Sequence, residues 1–172
     1  ALALYGPARG TRGPGPTAYI LTECSDGQSF SGTGWFCDPS GRLVTSRRTA
    51  FPRGLESPPT RYRIFIGGGS QECSATVADQ GSGDDFSAQW AILQISGGPA
   101  TVAAVALSTT TPQAGQPIGI DGDDTPTAQV ALQRLQDTVR EVIPGTGFGY
   151  GALPDGMDGA PVIDLATGAV LG

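Results

Sequence analysis

Histidine and lysine are both absent from this 172-residue chain, and charged side chains make up only 15% of it. Without histidine, the commonest general base and the commonest nitrogen ligand for metals are missing, so any catalytic reading has to do without imidazole. All ten basic residues are arginine and sixteen acidic residues outnumber them; a net charge of −6 and a pI near 4.4 disfavour phosphate-backbone binding as the main activity. No stretch reaches the roughly 18–20 apolar residues of a membrane span, and the opening ALALYGPARG lacks the charged and apolar regions of a signal peptide. The three cysteines, Cys24, Cys37 and Cys73, form no CxxC pair or other close metal-ligand spacing, and the odd count excludes complete internal pairing. One bridge plus one thiol and three buried thiols both remain open, with small buried hydrophobes as the favoured reading.

What is abundant is turn chemistry. With 27 glycines and 14 prolines the chain disfavours a helical bundle or coiled coil, while 38% apolar residues, two tryptophans and six phenylalanines supply surface for a core. One compact, strand-rich domain is expected. Residues 1–16 carry glycine and proline too densely for regular structure and read as a surface arm. From Thr17 onward, TAYILTE, QSFSGTGWFC, RLVTS, RYRIFI, ECSATVA, SAQWAILQI, ATVAAVAL and QPIGI are short apolar or alternating runs separated by turn signals, a pattern that predicts a β-barrel or sandwich. VALQRLQDTVREVI conflicts with it: Leu132, Leu135, Val139, Val142 and Ile143 recur at helical spacing and would end a helix at Pro144. PVIDL and AVLG close the sequence as short strands, and an apolar strand at the last residue leads us to expect a fragment of a longer protein.

Two distant segments carry a family resemblance. SGTGWFCDPSGRLVTSRRTAF, residues 31–51, resembles the stretch of trypsin-like serine proteases, particularly the bacterial HtrA-like branch, in which a Gly-rich strand, a DPxG turn and a VT strand end lead into the catalytic His. GALPDGMDGAPVIDLATGAVLG, residues 151–172, resembles the nucleophile loop GNSGGP with its following strand pair, and DDFSAQWAILQI, residues 84–95, resembles the segment that carries the catalytic Asp. The resemblance implies an all-β, two-barrel trypsin-like fold over 17–172, incomplete at its C-terminus, with a first barrel at about 17–96 and a second at about 97–172. It also implies that LQRLQDTVREVIPG is strand at least from Thr138 to Ile143, tertiary context overriding the helical spacing.

The resemblance fails where the chemistry lies. Arg48 stands at the place of the His, Gln89 at that of the Asp, and Asp158 at that of the nucleophile. A guanidinium cannot accept the proton, and a carboxylate is a poor acyl acceptor, so the triad mechanism is not available to these residues. A slip of register offers Ser46 or Asp85 but never a His. In the implied geometry Arg48 and Asp158 face each other and could clamp through two charge-assisted bonds. The loop Gly156, Met157 and Asp158 takes the place of the oxyanion hole, where the Asp158 carboxylate could plug the nest of N–H groups.

Weaker candidates are set against blander readings. Asp121, Gly122, Asp123 and Asp124 lack the pattern of an EF-hand and read as a solvated loop; Gly67, Gly68, Gly69 and Ser70 read as a hairpin turn, not a phosphate cradle. Arg47, Arg48 and Arg53 could receive an acidic partner, though a scattered solvated face is favoured. No cofactor and no metal is called for. The function expected is therefore a non-catalytic pseudoprotease that binds protein or peptide segments within a larger assembly, with no nucleic acid partner and no membrane span in this chain. The alternatives are a hydrolase using Asp158 with Asp155 or another acid, and a purely structural subunit whose arm packs on a neighbour. The residues name no compartment; the HtrA-like resemblance points to an exported or envelope-associated one.

Overall fold

A computed structural model describes residues 3–5, 16–67, 71–122, 133–143, 147–151 and 157–172. Its strands are β1 (Ala3–Tyr5), β2 (Thr17–Glu23), β3 (Ser29–Phe36), β4 (Arg42–Ser46), β5 (Arg61–Ile66), β6 (Gln71–Gln80), β7 (Trp90–Ser96), β8 (Pro117–Gly122), β9 (Gln133–Thr138), β10 (Glu141–Ile143), β11 (Gly147–Gly149) and β12 (Val162–Asp164). One single-turn helix, α1 (Arg47–Ala50), follows β4.

Six strands close a barrel in the order β2-β3-β4-β7-β6-β5, every neighbour antiparallel. Closure follows from β2, which pairs with β3 along one edge and β5 along the other. Alternation along each strand aims one set of side chains inward: Ala91, Leu93 and Ile95 of β7 meet Ile20, Phe36, Leu43, Ile64 and Ile66 in a single buried cluster. At the turn between β3 and β4 the Asp38 carboxylate accepts from the Ser40 N–H at 2.8 Å and the Ser40 hydroxyl at 2.6 Å. Such a side-chain-satisfied turn is the reason DPSG breaks the strand there.

A second sheet runs β1-β9-β8-β12, with β10 and β11 as a separate antiparallel pair. Ile118, Ile120, Leu135, Val139, Met157 and Val162 form its core. A third cluster, Trp35 with Ile163 and Val170, packs the barrel wall against this sheet.

Three expectations are corrected. Leu132 lies outside the described residues; from 133 to 143 the helical spacing belongs to two strands, β9 and β10, interrupted at Val139 and Arg140, so the expected continuous strand from Thr138 to Ile143 is also broken. Val139 is buried at the break and exchanges bonds with the preceding loop (Gly115 N–H to Val139 O, 2.8 Å; Val139 N–H to Gln116 O, 3.0 Å). That break resets the alternation, which is how inward residues at 135, 139 and 142 imitate a helix. ATVAAVAL forms no ladder: Val102 and Val105 each donate one bond to the barrel, at 3.1 and 3.0 Å to the carbonyls of Pro39 and Phe36, and Leu107 makes an isolated bridge to Val170. A segment crossing between two sheets has only scattered acceptors, whatever its β propensity. Within the 1–16 arm, Ala3–Tyr5 are a strand, because the outer edge of β9 offers them a ladder.

Acid sensitivity follows from two carboxylates of the second sheet. Asp137 is raised by burial, but the N–H groups of Thr138 (2.8 Å) and Gly151 (2.7 Å) and the Arg140 charge outweigh that and hold it below its ordinary 3.8. Asp164 is held below the same value first by the Ala166 N–H, against a smaller desolvation, and further by the Thr167 hydroxyl. A carboxyl with a lowered folded pKa binds protons less readily folded than unfolded, so its stabilisation is complete above 3.8 and is lost as pH falls through the lowered value. Unfolding midpoints should therefore hold down to about pH 4 and drop as the pH falls further, and Asp164→Asn should flatten that drop; an unchanged profile in the variant would exclude Asp164 as a source.

Candidate functional site

Ser46 ends β4 and caps α1, its hydroxyl accepting the Thr49 N–H at 3.0 Å. A short polar side chain here satisfies one of the otherwise orphaned amides of the turn and fixes where Arg48 and Thr49 point. On the opposite wall, residues 157–160 turn back sharply at Gly159, and the Asp158 carbonyl accepts the Thr33 N–H of β3 at 2.8 Å. Met157 is fully buried and anchors the loop from behind.

These two walls meet at one oxygen. Asp158 Oδ2 lies 2.8 Å from Ser46 Oγ, 3.2 Å from Thr49 Oγ1 and 3.2 Å from Arg48 Nε. Asp158 is partly buried while Arg48 is 82% exposed, its contact with the carboxylate running through Nε alone. The clamp is therefore a single charge-assisted bond and not the two-bond fork. The self-plugging arrangement differs as well: every described bond of the carboxylate crosses to the α1 wall, and Gly156 lies outside the described residues. Asp155 also lies outside them.

Gln89 stands near this contact but turns from it. Its side-chain amide nitrogen donates to the carbonyls of Asp84 and Asp85 at 3.4 and 3.2 Å, and its main-chain carbonyl accepts the Arg47 main-chain N–H at 3.0 Å. Arg47, one residue before Arg48, enters the loop before β7, with its guanidinium on the carbonyls of Gly81 (3.2 Å), Gly83 (2.7 Å) and Ala88 (3.4 Å). Arg47→Ala removes the donor shared by three carbonyls. Two of those carbonyls belong to buried residues, Gly81 and Ala88, so the loss should cost about 2 kcal/mol, in the range for leaving buried acceptors unpaired, and should speed amide exchange across 81–88. Exchange at the wild-type rate would mean that the loop holds itself.

Beside the pair a cleft of about 550 Å³ opens between barrel and second sheet, lined by Trp35, Trp90, Phe148 and Tyr150 together with Ser46, Gln89 and Asp158. Burial, and then the charge of Asp158, push the Tyr150 hydroxyl above its ordinary pKa, so it stays a proton donor at neutral pH.

No protein-family model matches the sequence, and no curated protein matches it. Solved structures do. A serine endoprotease from Yersinia pestis superposes with a TM-score of 0.68 at 14% identity, over 91% of this chain and 52% of that one. The active form of the Rv3671c protease from M. tuberculosis gives 0.68 at 19% identity, over 91% and 68%. Deg5 gives 0.66 at 18% identity, over 91% and 77%. The fold is that of the trypsin-like serine proteases. The chain spans about half the length of the Yersinia protease.

Within this trypsin-like fold, Ser46 and Thr49 are the site residues that sequence reasoning missed as a pair; the only signal was Ser46 itself, a residue type favoured at helix N-caps. The basic cluster separates into three environments: Arg47 in its loop, Arg48 on Asp158, and Arg53 on Asp26 at 2.9 Å, on Gln28 and over the Phe30 ring. Asp121 is buried on β8 and is not part of a solvated loop; Asp123 and Asp124 lie outside the described residues, as do Gly68, Gly69 and Ser70. All three cysteines are free thiols, Cys24 and Cys73 buried and Cys37 half-buried. Among the described residues no helix is long and apolar enough to cross a membrane.

Proposed function

We propose that this chain is a non-catalytic trypsin-like module that binds protein or peptide segments as part of a larger assembly. The observation that carries the reading is the Arg48–Asp158 contact at 3.2 Å, which joins the two walls where a triad would need an imidazole beside a hydroxyl. Neither group can do that work, since a guanidinium offers only donors and Oδ2 already faces three of them. An exposed pair of this kind adds only about 0–1 kcal/mol to folding, so stability alone is a weak reason for it. The cleft beside it is the larger resource: a mostly apolar surface with four aromatic rings and a few polar side chains suits recognition of a chain segment.

Affinity purification of the natively expressed protein, followed by mass spectrometry, tests the reading. A stoichiometric protein partner that is lost on Trp90→Asp supports it. A preparation that stays free of partners and hydrolyses peptides, with turnover abolished by Asp158→Ala, would replace it by the carboxylate-hydrolase alternative. Loss of assembly only on deletion of residues 1–16, with the cleft variant still bound, would favour the structural subunit.

A further inference from the structure

Three side chains of one short turn converge on a single oxygen. Ser46 Oγ, Thr49 Oγ1 and Arg48 Nε lie 2.8, 3.2 and 3.2 Å from Asp158 Oδ2, two hydroxyls and a guanidinium arranged as donors to a carboxylate. Ser46 and Thr49 are held there by the barrel and not by Asp158. The Ser46 hydroxyl accepts the Thr49 N–H at 3.0 Å, and the Thr49 carbonyl accepts the Thr22 hydroxyl at 2.9 Å. The Thr49 side chain is buried in the space left by Gly32, where a Cβ would overlap it. Two main-chain bonds close the turn, Phe51 N–H to the Arg47 carbonyl at 2.7 Å and Arg47 N–H to the Gln89 carbonyl at 3.0 Å.

The other wall is set with equal care. The Asp158 carbonyl accepts the Thr33 N–H at 2.8 Å and Met157 is fully buried beside it, so the main chain of residue 158 is fixed. Its side chain therefore presents a carboxylate to the donors at an effective concentration that a free anion does not reach.

We propose that Ser46, Arg48 and Thr49 form a carboxylate-binding site and that Asp158 is its internal ligand, an autoinhibitory contact that keeps the carboxylates of other molecules out. The donors are side chains, so the site does not draw on the amides of the turn, and the space it needs is only that of the Asp158 carboxyl group itself. Taking that group away leaves the hydroxyls satisfied. The Ser46 hydrogen then has Thr49 Oγ1 at 3.0 Å, the Thr49 hydrogen has the carbonyl of residue 158 at 3.3 Å, and the exposed Arg48 has water. An emptied site is thus compatible with folding, and an added carboxylate regains the charge-assisted bonds. The site stands apart from the binding-module reading, because filling it with a small anion needs no peptide partner.

The test melts Asp158→Gly, which clears Cβ along with the carboxyl group, in sodium formate and in sodium chloride of equal concentration. Formate bound to the folded chain alone should raise the midpoint over chloride by about 2–4 °C at about five times its dissociation constant, levelling off as the site fills. The unaltered chain and Asp158→Asn keep the space filled and should melt alike in the two salts. Arg48→Gln added to Asp158→Gly should weaken formate at least about fivefold, the loss of one charge-assisted bond. Equal midpoints in the two salts for Asp158→Gly overturn the proposal, as does a formate shift in Asp158→Asn or one that Arg48→Gln leaves untouched. If the glycine variant is unfolded in chloride, tryptophan emission reads the same equilibrium: refolding by formate supports the site, and a chain that stays unfolded in formate overturns it.

Discussion

Gly159→Ala is expected to destabilise the fold by roughly 3–5 kcal/mol, combining positive-φ strain with a clash that cannot relax. Gly159 sits at φ +86°, and an added Cβ would press into the Thr45 hydroxyl and the Thr33 carbonyl and lie 2.8 Å from the Ser46 nitrogen. Two of those three atoms are main chain of the barrel wall, so rotamer changes offer no relief. The same loop carries Asp158 against Thr33, and Thr45 Oγ1 itself donates to the Thr33 carbonyl at 2.8 Å. The alanine variant should thus lose the contact between the two walls together with stability. Denaturant unfolding measures the first, and acrylamide quenching of Trp90 the second. A variant within about 1 kcal/mol of the parent, the scatter of ordinary substitutions, would mean that this loop approaches the barrel differently.

Phe36→Ala tests the barrel itself. Phe36 ends β3 fully buried among Leu43, Leu93 and the rest of the first cluster, its N–H donates to the Pro16 carbonyl at 2.7 Å, and its carbonyl accepts from Val105 at 3.0 Å. Truncation leaves those backbone bonds available and removes only the ring, so the cavity dominates; losses for buried Phe→Ala run to about 3–5 kcal/mol. The comparison variant is Leu107→Ala, 62% exposed, which should change stability by less than about 0.5 kcal/mol. Similar midpoints for the two variants would show that the barrel core is not where Phe36 lies.

Strands whose ends are punctuated by turn residues were legible from sequence to the residue: TAYILTE, RLVTS and RYRIFI are β2, β4 and β5 at their full lengths. In each, β-branched and aromatic residues alternate between barrel interior and outside, and local pattern and tertiary role agree. Legibility failed where partners are distant. Residues 100–107 look like a strand by composition but meet no ladder, and Ala3–Tyr5 look like a tail until β9 offers an edge. The site divides similarly. Arg48, Gln89 and Asp158 could be singled out by resemblance, but not the bond count at Oδ2, which depends on the Ser46 cap and on Thr49. Nor was the cleft visible, because Trp35, Trp90 and Phe148 come from three separate stretches of chain.

The proposal that this trypsin-like framework joins its two walls at Asp158 and holds no usable nucleophile there has a direct test. Incubation of the folded protein with a fluorophosphonate, followed by intact-mass measurement, tests it most directly. The expected result is an unmodified mass at every pH where the tryptophan signal reports a folded chain. A stoichiometric single adduct, retained in Asp158→Ala and abolished by Ser46→Ala, would contradict the claim and make the N-cap serine an activated nucleophile.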